Sequence, residues 1–350
     1  MTDAQTEASA PPPSLIDGRG LILADLDGVV YAGPSAVPYA VESINAASER
    51  LRVGYITNNA SRTDASVAEH LTSLGLSVAP EDVVTSPQAA VRLLADLVPP
   101  ASTILVVGGV GLTHEVERAG FTVTDSALDD PAAVIQGFSP DLGWKHLAEA
   151  AFALNAGDRS TPWVATNTDW TIPVARGIAP GNGTLVSAVH TAVGRLPVVA
   201  GKPEVAIFTA ALERFAGAVV PARPALVLGD RLDTDILGGN RAGLDTVLVL
   251  TGIDRAKQVL AAIPEERPSY ILDDLRGLLE PYPATVVTTD ERTGDEITTV
   301  GNARVRRHGT ALSIEATGDI PVDLLRAGCA AIWNSGLAIY ALDVPAELYS

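Results

Sequence analysis

One cysteine and five histidines occur among 350 residues, and each scarcity removes a class of chemistry. Cys329 alone cannot close an internal disulfide, and it falls in an apolar helical pattern that suits packing better than redox or nucleophilic work. The histidines are scattered without the spacing that holds zinc. Basic residues are also few, 24 against 42 acidic ones for a formal charge of −18, so DNA, RNA and anionic membranes are poor partners. A phosphorylated ligand of such a chain must be small and held by local positive charge. Long hydrophobic runs are missing too, because charge or glycine interrupts each one before a bilayer-spanning length. The opening MTDAQTEASAPPPS has neither the basic start nor the apolar centre of a secretory signal. Residues 1–14 are therefore expected to form a flexible tail on a soluble, cytoplasmic protein.

What is present is alternation. The length calls for two or three domains. Apolar runs alternate with amphipathic segments in LILADL, VPYAVESINAASERL, VGYITNN and DASVAEHLTSLGL, and again in VAIFTAALERFAG, ALVLGD, TDILGGNRAG and VLVLTG. Such alternation predicts an α/β fold, a doubly wound parallel sheet whose ligands sit at the carboxyl ends of the strands. Residues 15–81 and 196–280 are expected to form this core. Residues 82–195, with strands ILVVGG, AAVIQGF and PWVATN of their own, read as an inserted α/β cap domain. From 282 to 350 the pattern switches to period two, followed by the helix IPVDLLRAGCAAIWNSG and a candidate last strand LAIYALDV. This predicts a small C-terminal α+β module. Association of copies through the cap or this module is a further expectation.

The chemistry gathers at predicted strand ends. In ILADLDGVVY, Asp25 and Asp27 follow a buried run and Gly28 relaxes the chain. Buried acids need a partner or a cation, although a plain solvated Asp-Gly turn also satisfies the pattern. Three more strand ends carry polar groups: Thr57-Asn58-Asn59, Gly201-Lys202-Pro203, and GDRLDTD with Asp230, Asp233 and Asp235. On a doubly wound sheet these loops converge at one edge. Together they supply carboxylates for a hard cation, an ammonium for a phosphate oxygen, and hydroxyl and amide donors for the others. Singly, each has a plainer role: Asn58 and Asn59 as turn formers, Lys202 as a solvated charge.

DLDGVVY, TNN, GKP and GDRLDTD, in this order and with a large insertion between the second and third, resemble the four motifs of the haloacid dehalogenase superfamily. The likeness covers roughly residues 15–275 and is to the NagD-like or p-nitrophenyl-phosphatase-like branch, with VATNTDW and PGNGT adding to it inside the cap. The resemblance implies a Mg²⁺-dependent phosphatase. Asp25 would be the nucleophile that forms an aspartyl-phosphate, and Asp27 the general acid and base. Mg²⁺ would be held by Asp25, the Asp27 backbone carbonyl and Asp230, with Asp235 ordering its waters. Thr57, Asn58 and Asn59 would hydrogen-bond the phosphoryl group, and Lys202 would neutralise it.

A lid over the core edge favours substrates a few atoms beyond the phosphate. Glycerol 3-phosphate, phosphoglycolate and pyridoxal phosphate recur in the branch. The loop carrying Asn167, Asp169, Trp170 and Arg176 is the candidate specificity element, and its polar groups suit glycerol 3-phosphate or phosphoglycolate better than an aromatic ring. A phosphoaspartate receiver-like switch, or a regulatory protein that binds a small phosphate, is the alternative. The large insertion before Lys202 and the proton-shuttling position of Asp27 speak against it.

Three other signals carry less. ILVVGGVGLTHEVERAG lacks the third glycine of a dinucleotide fingerprint, with Gly109-x-Gly111-x-x-His114 in its place. Arg304, Arg306, Arg307 and His308 read as an ordinary surface stripe along a strand. The C-terminal module resembles part of an acetyltransferase-like fold, with no activity expected.

Overall fold

The computed structural model describes residues 12–156, 160–174, 176–215 and 222–349. The four residues of strand Leu21–Ala24 are all buried, as a strand covered on both faces requires. This strand lies inside a six-stranded sheet ordered Tyr270–Leu272, Asp245–Val249, Leu226–Gly229, Leu21–Ala24, Arg52–Thr57, Val83–Thr85. Every pairing is parallel. The chain runs outward in one direction from Leu21–Ala24 and in the other from Leu226–Gly229, so the sheet switches direction between them, where an open α/β sheet forms its ligand crevice. Ala24 lies opposite Leu228 and Tyr55, which brings the loops after these strands to one edge. Leu26, Ile44 and Leu71 belong to the apolar cluster on one face of the sheet, Ile207, Phe208 and Ala211 to that on the other.

The insertion builds a second parallel sheet, ordered Val198–Val199, Trp163–Ala165, Ala133–Gln136, Thr103–Val107, Thr122–Thr124. Two strand pairings fall near the expected boundaries. Val83–Thr85 pairs with the core strand Arg52–Thr57, and Val198–Val199 pairs with the cap strand Trp163–Ala165. The glycine-rich segment ILVVGGVGLTHEVERAG is the cap strand Thr103–Val107 and the helix Val110–Arg118. That helix bears on the core: Arg118 pairs with Asp64 of helix Asp64–Ser73 at 3.0 Å and with Glu115 at 2.7 Å. Gln88 donates to the same Asp64 at 2.8 Å.

The C-terminal module is an antiparallel meander of Thr285–Thr289, Glu296–Val300, Ala303–His308 and Ala311–Thr317, backed by helix Pro321–Asn334. Ala303 and Val305 are buried while Arg304 is exposed, as period two predicts. Arg306 is held by Asp290, Asp295 and Glu315 at 2.6–3.1 Å, so the basic stripe is largely neutralised. The expected last strand is a short 3₁₀ turn, Ile339–Ala341, followed by a single bridge between Asp343 and Ala311. Pro345 follows two residues later and lacks the N–H that a longer ladder needs. Cys329 is buried, and burial pushes its thiol well above the usual range.

The module shares a core with the six-stranded sheet. Leu325, Cys329 and Ile332 cluster with Leu232, Ile236 and Leu248. Residues 1–11 of the expected tail lie outside the described residues. Ser14 is buried and bridges Pro281, and the Tyr282 N–H donates to the Pro13 carbonyl at 3.2 Å, so the chain is already fixed before residue 15. No helix among the described residues is long and apolar enough to cross a membrane.

Candidate active site

Four strand-end segments meet at the sheet edge. Asp25 leaves the strand with its N–H donating to the Leu228 carbonyl at 2.9 Å. Gly28 then adopts φ +84°, and a Cβ there would sit 2.4 Å from an Asp230 oxygen. Only glycine lets the two acidic loops touch in this way. Asp230 follows Leu226–Gly229 and accepts from the Ile253 N–H at 2.7 Å. The next turn, Leu232–Ile236, is a wide helical turn in which Asp235 accepts from the Arg231 N–H at 3.2 Å. Lys202 completes the group. Its buried ammonium donates to Asp25 and, at 2.6 Å, to Asp235. Thr57 and Asn59 close the edge, with the Asn59 N–H donating to the Thr57 hydroxyl at 3.1 Å.

Charge does not balance among these groups. Asp25, Asp230 and Asp235 are buried, and one oxygen of each lies within 4.8 Å of the others, with one ammonium among them. Burial raises the Asp25 carboxyl well above its ordinary range, Lys202 opposes this, and the neighbouring acids raise it further. Burial and Asp235 push Asp230 up to about 7. Burial alone would lower the Lys202 value, but Asp235 and Asp25 outweigh it and keep the ammonium charged. A cluster with this surplus of hard oxygen donors fits a divalent cation such as Mg²⁺. Asp27 differs in that its side chain opens toward the cleft. Enclosure by protein still raises its carboxyl, against the pull of Lys202 and Arg62 and a hydrogen bond from Tyr31.

The cleft between this edge and the cap measures about 520 Å³ and is bordered by Asp25, Asp27, Thr57, Asn58, Asn59, Lys202, Asp230 and Asp235 from the core. The cap contributes Asn167 and Asp169, but neither Trp170 nor Arg176. Trp170 is 65% exposed, and Arg176 is exposed in the turn between strands Thr171–Val174 and Gly177–Pro180. The Asn58 side chain is engaged by Lys202 and Asp169. Asp233 is exposed and pairs with Arg231 at 2.7 Å. Thr171 and Ile172, inside the candidate specificity loop, also line the cleft, and sequence reasoning missed Phe138, Asn182, Arg231 and Ile253. Two of them lay inside quoted motifs, Arg231 in GDRLDTD and Asn182 in PGNGT. Asn182 is buried and donates to the Asn167 carbonyl at 2.7 Å, which seats one cap motif on the other.

Comparison with known proteins agrees with this geometry. A haloacid dehalogenase-like hydrolase family model matches residues 22–122, and a HAD-hydrolase-like model matches 199–278. The D-glycerol 3-phosphate phosphatase of Mycobacterium tuberculosis is 41% identical over 326 residues, 93% of this chain and 89% of its own length. This chain belongs to the haloacid dehalogenase-like hydrolases. Within them it falls in the NagD and p-nitrophenyl phosphatase branch with an inserted cap, which sets the receiver-like alternative aside. The glycerol-3-phosphate phosphatase of Gallus gallus is 36% identical over 287 residues, 74% of this chain and 90% of that protein. A crystal structure of the M. tuberculosis glycerol phosphate phosphatase in complex with magnesium superposes with a TM-score of 0.81 at 40% identity, covering 93% of this chain and 94% of the other. The second family model stops at residue 278, so the C-terminal module of this dehalogenase-like hydrolase lies beyond it.

Proposed function

We propose that this chain hydrolyses glycerol 3-phosphate through an aspartyl-phosphate on Asp25. It is a Mg²⁺-dependent phosphatase of the haloacid dehalogenase superfamily, acting on a small phosphorylated metabolite. The observation that carries the reading is the buried Lys202 ammonium shared by Asp25 and Asp235 beside Asp230. An Asp25 oxygen attacks phosphorus in line, and the bond from phosphorus to the substrate oxygen breaks. Asp27, opening onto the cleft with a raised carboxyl, gives its proton to that departing oxygen and later takes one from the water that cleaves the acyl phosphate. Lys202 offsets the charge on Asp25 and the phosphoryl oxygens, while Thr57 and Asn59 offer donors to those oxygens. Asp25, Asp230 and the Asp27 backbone carbonyl would hold Mg²⁺, with Asp235 ordering its surroundings. Bound there, the ion draws charge off the phosphoryl group.

The choice of glycerol 3-phosphate has two supports. Relatives 41% and 36% identical carry that activity in their names. The cap's Asp169, half-buried at the cleft, accepts hydroxyl donors and repels a second carboxylate, which ranks phosphoglycolate lower. Pyridoxal phosphate ranks lower again because the polar groups of Asn167 and Asp169 suit a polyol better than a ring. Cytoplasmic residence belongs to the same proposal and is supported by a lone, buried cysteine. Association of copies is also proposed, supported by apolar Trp170, Val174 and Ile178 exposed on the cap. Steady-state rates with these phosphomonoesters in Mg²⁺ test the substrate. A higher kcat/KM for pyridoxal phosphate or a phosphopeptide than for glycerol 3-phosphate would overturn it.

A further inference from the structure

Asn58 sits where a phosphate donor was expected, yet its side chain is committed elsewhere. Its Oδ1 accepts from the Lys202 N–H at 2.8 Å, and its Nδ2 donates to the Lys202 carbonyl at 3.0 Å. One primary amide thus holds both main-chain groups of the residue whose ammonium bridges Asp25 and Asp235. The approach depends on Gly201, because a Cβ there would lie 2.5 Å from the same Asn58 oxygen. The Asn58 Nδ2 also reaches both carboxylate oxygens of Asp169 at 3.2 Å. Asp169 belongs to the cap, and Lys202 to the loop by which the chain returns to the core.

The cap holds Asn58 from its other end as well. The Asn167 side-chain amide donates to the Asn58 carbonyl at 2.7 Å, and its oxygen accepts from the Asp169 N–H at 3.2 Å. The Asp169 carbonyl accepts in turn from the Gly183 N–H at 2.9 Å, and Asn182 donates to the Asn167 carbonyl. The cap loop is therefore a braced unit with two separate grips on Asn58. Burial raises the Asp169 carboxyl above its ordinary range, and Arg231, the Asn58 amide and Lys202 oppose that rise across this junction.

We propose that Asn58 is a positioning residue that transmits seating of the cap to Lys202. With the cap in place, Asp169 fixes the orientation of the Asn58 amide, and the amide fixes the Lys202 main chain so that the ammonium stays aligned on Asp25. Without the Asp169 carboxylate the amide can turn, and Lys202 loses its register. Chemistry is thereby tied to the closed cap, which limits reaction with the cleft open to bulk water. The inference rests on the phosphatase reading, but it concerns how the cap acts on the core, whatever the substrate.

A double-mutant cycle tests it. Asn58→Ala, Asp169→Ala and the double variant are assayed with glycerol 3-phosphate and with a small aryl phosphate that offers the cap no hydroxyls. Thermal melts confirm that each protein is folded. A shift of about 1 Å in a catalytic group costs on the order of 10²-fold in rate, so Asn58→Ala is expected to lower kcat by about that factor on both substrates. Asp169→Ala is expected to lower kcat by roughly tenfold on both, and the double variant to be no slower than Asn58→Ala, since coupled residues are not additive. Asp169→Asn, which keeps one acceptor oxygen, should recover part of the loss on both substrates. This pair of Asp169 variants decides the matter even where Asn58→Ala fails to fold. A loss confined to glycerol 3-phosphate, or factors that multiply in the double variant, would overturn the coupling and leave Asp169 a substrate contact only. Wild-type rates on the two substrates test the function itself, and ratios among the variants test the coupling.

Discussion

The core edge and the cap loop face one cleft and use polar side chains in opposite ways. At the core edge Asp25, Asp230, Asp235 and Lys202 bring charged atoms together, and burial with the neighbouring Asp235 raises Asp230 to about 7. In the cap Asn167, Asp169 and Asn182 spend their hydrogen bonds on main chain and on Asn58. The core edge gathers charged groups around one point. The cap loop is braced by hydrogen bonds among its own residues and to Asn58.

That contrast can be pressed hardest by removing the cation. EDTA is expected to abolish turnover of every substrate, Mg²⁺ to restore it, and Ca²⁺ to fail, because its larger and looser coordination disturbs in-line geometry. Initial rates across a metal series check this, and full activity in metal-free buffer would break the account of the acidic cluster. Asp27→Asn comes next, with an expected loss on the order of 10² to 10⁴-fold. The loss should be smaller for aryl phosphates whose leaving group needs no proton, which a comparison of leaving groups in stopped assays will show.

Truncation after Glu280 acts on stability instead. Leu248 and Ile271 of the core share an apolar cluster with Leu325 and Ile332 of the module, and each such side chain contributes about 1.5–3 kcal/mol when buried. The expected result is a lower Tm with specific activity retained in the folded fraction, measured by calorimetry alongside active-site titration. Loss of catalysis in a truncated protein with unchanged Tm would bring the module into the chemistry. Trp170→Ala and Arg176→Ala should have the smallest effect, within about twofold in kcat/KM, since neither residue borders the cleft. A large change in substrate ranking from either would show that the cap closes further than its present seating.

The core was legible in the sequence because its chemistry dictates residue types at strand ends, and strands such as LILA announce themselves by unbroken burial. The cap residues were only partly legible. Asn167 and Asp169 sit in an irregular polar loop, but nothing in the spacing distinguished them from Trp170 and Arg176, which do not border the cleft. The resemblance implied Asn58 as a phosphate donor, and the partners that hold its side chain lie 111 and 144 residues away. Contacts at such separations leave no local pattern. The last expected strand failed for a local reason that was available, the proline at 345.

The most direct test of the aspartyl-phosphate is to trap it. Wild-type protein and Asp25→Asn are mixed with excess substrate and Mg²⁺, quenched in acid within the first turnover, digested and examined by mass spectrometry. The account predicts a phosphorylated peptide containing Asp25 in the wild-type protein, discharged by hydroxylamine, and neither adduct nor turnover in Asp25→Asn. A phosphoryl group on a different residue, or wild-type turnover by Asp25→Asn, would contradict it.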